Sequence, residues 1–157
     1  DVDTMSFCLS KALSCPVGSI LVGSKKFITE ATRWRKMVGG GMRQAGVLAA
    51  AGLVALDTMV DRLAEDHQNA RRLAHGLANI DGLTLDPESM PTNIVIFDVD
   101  QKVGTAPDFI KAMKDAGVLV SYPGEQSVRM VTHRHISSED VEETLSRTSK
   151  VVRELHP

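Results

Sequence analysis

Ser6-Phe7-Cys8-Leu9-Ser10-Lys11-Ala12-Leu13-Ser14-Cys15-Pro16-Val17-Gly18-Ser19 sets a single lysine inside an apolar run. Phe7, Leu9 and Leu13 surround Lys11, and the small residues Ser10, Ala12 and Ser14 let another group approach it closely. Burial among such neighbours penalises the ammonium and favours the neutral amine. That neutral form is the one able to condense with a carbonyl or aldehyde. The competing reading is a lysine at a strand end whose stem lies on apolar surface while its head reaches water. Ser6 to Leu9 reads as a short strand entering the Lys11 turn. Gly18-Ser19-Ile20-Leu21-Val22-Gly23 reads as a second strand, β-branched and bounded by glycines.

Outward from this segment the pattern becomes helical. Lys25 to Lys36 reads as a helix that the glycines from Gly39 to Gly41 break. Arg43 to Leu77 carries a long helical pattern with a break near Asp57. Its first half, Ala45 to Leu56, is apolar on every face, but a membrane span needs ~20 apolar residues and this run is far shorter. A helix packed against other helices fits it better. The second half bears Asp61, Arg62, Glu65, Asp66, Arg71 and Arg72, which read as a solvated face.

Beyond Gly82, strands and helices alternate. Thr92 to Val99 is a predicted strand, and Ala106 to Ala116 a predicted helix that begins near Thr105 and ends at Gly117. Val118 to Ser121 and Ser127 to Val131 read as two strands around the turn Tyr122-Pro123-Gly124-Glu125. Ser137 is the expected N-cap of the last helix, with Asp140 in a capping-box position, and that helix runs to about Leu155. The expectation is an α+β domain of three strands backed by helices.

Composition narrows the function classes. A chain of 157 residues that is 43% apolar can bury a core for one domain or one and a half. A net charge of −2 argues against nucleic acid and anionic membranes as partners, since neither would be attracted electrostatically. With 4% aromatic residues, few side chains are left as stacking platforms for single strands. Cys8 and Cys15 match no metal-ligand or disulfide framework, and reduced thiols of a cytoplasmic protein are the plain reading. His133 and His135 lie two apart without a third ligand at suitable spacing, so no metal site is expected.

A second unusual segment decides the family. Arg33-Trp34-Arg35-Lys36-Met37-Val38-Gly39-Gly40-Gly41-Met42-Arg43-Gln44-Ala45-Gly46, taken with the Lys11 segment, resembles the lysine region of the low-specificity L-threonine aldolases. These are pyridoxal-phosphate enzymes of fold type I. The likeness runs from about Ser6 to Leu155 and is residue for residue over Trp34 to Ala49. It implies an α/β fold: the end of a fold-type I large domain over 1–42, a bridging helical segment over 43–77, and a small α+β domain over 78–157.

The resemblance also implies roles. Lys11 would carry pyridoxal 5'-phosphate in covalent linkage. Arg129, in Val128-Arg129-Met130-Val131-Thr132-His133, would bind the carboxylate of a β-hydroxy amino acid such as L-threonine or L-allo-threonine, which is cleaved to glycine and an aldehyde. Arg43 and Lys36 would lie near the cofactor phosphate, and Arg43 beside a helix N-terminus suits an anion. A subunit-contact role for them is the alternative. Ser10 would reach the phosphate or merely serve the turn. Ala12 and Ser14 stand where the family usually has glycine, and Cys15 where it has alanine, which suggests an altered pocket wall. No phosphate-cradling loop, stacking ring or aspartate for the pyridinium nitrogen is recognisable. The larger part of the cofactor domain is therefore expected ahead of Asp1, in the same protein or as a separate chain. The implied assembly is a homo-oligomer, a dimer of dimers, and the chain alone is expected to have little activity.

Overall fold

The computed structural model describes residues 2–122 and 124–156, and it divides into two compact units, 1–63 and 64–157. Pro123, which the sequence places in a turn, lies outside the described residues.

The first unit opens with strands β1 (Thr4–Cys8) and β2 (Ser19–Gly23), paired antiparallel from Thr4↔Gly23 to Cys8↔Ser19. Helix α1 (Lys25–Met37) starts where the Ser24 hydroxyl accepts a hydrogen bond from the Phe27 amide at 3.3 Å. It ends in a Schellman motif. Gly39, at φ 86°, donates to Lys36, and Gly40 donates to Arg35 at 2.8 Å, so two orphan carbonyls are satisfied. Helix α2 (Gly46–Thr58) is apolar around its circumference yet buries only Gly52 and Ala55. The small core beneath it contains Leu9, Leu13, Cys15 and Ala55, with Phe7, Ile20, Met59 and Leu63 packed on its edge. A Cβ on Gly52 would stand 3.1 Å from Leu9 Cδ1, so glycine there lets Leu9 lie directly on the helix.

The 43–77 segment is not one helix. α2 stops at Thr58, and α3 (Leu63–Ala78) begins after a four-residue break, close to the break expected near Asp57. Residues 43–45 precede α2, and Gln44 takes a positive φ of 52°, outside helical geometry. The border between the two units falls at Leu63, inside this segment. Among the described residues, no helix is long and apolar enough to cross a membrane.

In the second unit, β3 (Leu83–Thr84), β4 (Ile94–Val99) and β5 (Ser127–Val131) form an antiparallel sheet in that order. Alternation sends Val95, Phe97 and Val99 of β4 and Val128 and Met130 of β5 inward. Helices α3, α4 (Ala106–Asp115) and α5 (Ser138–Leu155) supply Leu77, Phe109, Met113 and Val141 to the same core. Phe97 and Phe109 meet edge to face at 5.9 Å, a favoured aromatic geometry. The capping box expected at Ser137 is present in full.

Two expectations are corrected in this unit. Val118 to Ser121 is not a strand: Gly117 (φ 81°) and Val118 are used in closing α4, and only Ser121 pairs, with Arg129. The third strand is instead the short Leu83–Thr84, whose two residues are too few to show a period in the sequence. Asp66 is not on a solvated face but fully buried. Helical spacing puts it on one stripe with Ala70, Leu73 and Leu77. Its carbonyl accepts the Thr132 hydroxyl at 2.7 Å, while Asn69 donates to the Ile136 carbonyl at 2.9 Å. These bonds fasten α3 to the chain leaving β5.

Candidate active site

The Lys11 turn is built by hydrogen bonds that fold its ends together. Leu9 donates to the Gly18 carbonyl at 2.9 Å, Cys15 to the Leu9 carbonyl at 3.0 Å, and Ser14 to the Lys11 carbonyl at 2.8 Å. The Cys15 thiol points to the Ala51 carbonyl of α2 at 3.5 Å. Leu9, Leu13 and Cys15 consequently face the core, and Ser10, Lys11 and Ser14 face outward. The burial of Lys11 expected from its apolar neighbours is therefore not found within this chain. Leu9 and Leu13 are buried and Phe7 is half-buried at the edge of the same core, but the turn leaves Lys11 itself exposed. Ser14 holds φ 61°, a left-handed conformation that favours glycine.

Lys36 and Arg43 flank the glycines that follow α1. Lys36 folds over Gly41, where a Cβ would stand 2.9 Å from the lysine Nζ, and Arg35 covers Gly40 in the same way. Glycine at these positions makes room for the two basic stems. Beyond them, α2 starts at N-cap Ala45 with no side-chain cap and no acidic residue in its first turn. Arg43, exposed, stands two residues before that N-cap. An uncapped helix N-terminus with a guanidinium beside it offers amide dipoles and a positive charge to a phosphate.

Arg129 belongs to the second unit. It lies mid-strand in β5 between buried Val128 and Met130, so its side chain projects from the exposed face, as expected from the alternation. Its cross-strand partner on β4 is Ile96. On the other side Ser121 exchanges two backbone bonds with it, at 2.7 and 3.1 Å, and the Ser121 hydroxyl accepts from Arg129 Nε at 3.3 Å. The sequence offers Ser121 only as a strand end. Its link to Arg129 rests on a pairing eight residues apart in the chain, which no local period reveals.

His133 and His135 follow β5 with their rings edge to face at 5.7 Å. They line a groove of about 440 Å³ with Asp140 and Arg147. Arg147 is occupied, donating to the Ala116 carbonyl at 2.6 Å and pairing with Glu143. Among the described residues no cluster of three or more His, Cys, Asp or Glu could hold a metal ion. A second cleft, of about 720 Å³ at the start of α4, is lined by Thr105 and by Tyr122, Gly124 and Glu125 of the turn before β5, and by none of Ser10, Lys11, Lys36, Arg43 or Arg129.

A family model of beta-eliminating lyases matches residues 1–101, which include the Lys11 turn and the glycine segment. The chain belongs to the beta-eliminating lyase family. Within that family it is 43% identical over 141 residues to the low specificity L-threonine aldolase of Escherichia coli, covering 90% of this chain and 40% of the relative. Low-specificity L-threonine aldolase 1 of Arabidopsis thaliana is 41% identical over 145 residues, covering 92% of this chain and 40% of its own length. This beta-eliminating lyase chain thus spans about two fifths of the curated relatives it matches. In fold it is similar to the serine palmitoyltransferase of Sphingomonas wittichii, with a TM-score of 0.77, 23% identity, and coverage of 98% of this chain and 40% of that one. The α/β architecture is that of fold-type I enzymes.

Proposed function

We propose that this chain is the lysine-bearing part of a pyridoxal-phosphate-dependent aldolase that cleaves L-threonine, L-allo-threonine and related β-hydroxy-α-amino acids to glycine and an aldehyde. The observation that carries this reading is the Lys11 turn. It is anchored from below by Leu9, Leu13 and Cys15 and presents a primary amine outward, in a chain more than 40% identical to the named threonine aldolases.

Lys11 would hold the cofactor through its Nζ. Arg43 and the uncapped N-terminus of α2 fit the cofactor's phosphate, in this subunit or a neighbour's, with Lys36 adding charge beside Gly41. Ser10, exposed next to Lys11, would donate to the same anion or serve the turn. Bound there, pyridoxal phosphate supplies the electron sink for breaking the Cα–Cβ bond. Arg129 would take the substrate carboxylate in two parallel charge-assisted hydrogen bonds, a geometry a lysine cannot reproduce. That grip fixes which substituent of Cα is free to leave. Water exclusion around Lys11 must come from surfaces other than this turn, which supports an assembled homo-oligomer as the working form.

Borohydride reduction of the full-length protein, followed by peptide mass spectrometry, tests the reading. The expected result is a pyridoxyl adduct on the peptide containing Lys11, absent from a Lys11→Ala variant that also fails to release glycine from L-threonine. An unmodified Lys11 peptide in protein that retains the activity would overturn the assignment.

A further inference from the structure

We propose that Ser121 is a positioning residue for Arg129, holding its guanidinium so that only the two terminal nitrogens face the substrate carboxylate. This rests on the reading of Arg129 as the carboxylate-binding residue. Three features of the exposed sheet face carry it. The first is the Ser121 hydroxyl, which accepts from Arg129 Nε at 3.3 Å and is itself held by the paired backbone bonds between the two residues. With Nε engaged, a carboxylate can be gripped bidentately only end-on, through Nη1 and Nη2.

The second is Ile96, opposite Arg129 on β4, which puts an apolar side chain where a polar one would offer the fork a competing partner. The third concerns the acid nearest in register on this face. Asp98 lies diagonal to Arg129 across the β4–β5 pair, a separation that long side chains span. The Ser127 hydroxyl donates to Asp98 Oδ1 at 2.6 Å, engaging the carboxylate in its own cross-strand pair. Among the described residues no ion pair joins Arg129 to a carboxylate. One serine aims the guanidinium, and another occupies the acid that could quench it.

Calorimetric binding of glycine and of glycinamide to the full-length holoenzyme separates this from a structural role, because glycinamide lacks the carboxylate charge. Ser121→Thr keeps the hydroxyl, and Ser121→Val has the same branched shape without it. The expected result is a glycine-over-glycinamide preference that Thr preserves and Val reduces by ~10-fold, with glycinamide affinity unchanged. An unaltered preference in Ser121→Val, alongside its loss in Arg129→Ala, would overturn the positioning role and leave Arg129 as the carboxylate site. A preference that survives in Arg129→Ala would overturn both. Equal losses for glycine and glycinamide in Ser121→Val would mark a general structural effect and would likewise sink the proposal.

Discussion

Ser14 holds a left-handed backbone at φ 61° at a position where glycine would carry no Cβ penalty. A non-glycine residue there gives up roughly 1–2 kcal/mol, part of which a glycine returns through its freer unfolded chain. Ser14→Gly is expected to stabilise the protein by about 0.5–1 kcal/mol, read as a higher urea midpoint at unchanged slope. An unchanged or lower midpoint would show that the Ser14 hydroxyl, 3.4 Å from the Ala12 carbonyl, compensates for the conformation. Gly39 is the opposite case. Its φ of 86° completes the Schellman end of α1, and Gly39→Ala should cost about 1 kcal/mol. The sequence makes both turns visible through their small residues. It cannot show that the Lys11 turn sends Leu9 and Leu13 inward and the lysine outward, because that depends on three backbone bonds closing over a ten-residue loop.

At the scale of elements, the start of α5 gives a pH-dependent prediction. The Ser137 amide bonded to the Asp140 carboxylate, with the Ser137 hydroxyl also bonded to it, holds the Asp140 carboxyl below its ordinary range. Backbone bonding likewise lowers Glu139, with the hydroxyls of Ser137 and Ser138 adding to the effect. A carboxyl with a depressed folded pKa contributes stability that is complete above its unfolded value and is lost as the pH falls through the folded one. The cap should thus be intact at neutral pH and fail below about pH 4, and Asp140→Asn should flatten that part of the stability profile. Ser137→Ala is expected to cost about 1 kcal/mol at pH 7, measured by denaturant unfolding. A profile for Asp140→Asn that matches the parent through the acid range would refute the assignment. This cap was legible because its spacing is local, Ser137 to Asp140. The same holds for β4 and β5, whose alternation sorts buried from exposed residues without help from the rest of the fold. Val118 to Ser121 shows the limit. Its β-branched residues suit a strand, but closing α4 engages Gly117 and Val118 and only Ser121 pairs.

The two units differ most in how much apolar surface they enclose. Seventeen buried residues form the core of 64–157, whereas the core of 1–63 has four. Exposure runs the other way among the described residues: fourteen of the nineteen exposed large apolar side chains lie in the first unit, including Trp34, Met37, Val38 and Val47. A surface of that kind on a protein in water is a contact surface or an aggregation hazard, while a core of seventeen residues with an aromatic pair at its centre suffices for cooperative folding. Residues 64–157 produced alone should therefore fold as a monomer with a single thermal transition. Phe109→Ala should destabilise that fragment by about 3–5 kcal/mol, enough to unfold much of it at 37 °C. Residues 1–63 alone should show no cooperative transition and should associate, as followed by light scattering. Joining them shifts neither imbalance, so the whole chain by itself is expected to elute as a concentration-dependent oligomer. A sharp, concentration-independent monomer peak would mean that these apolar side chains are tolerated singly, and the case for a covered surface over α1 and α2 would fall.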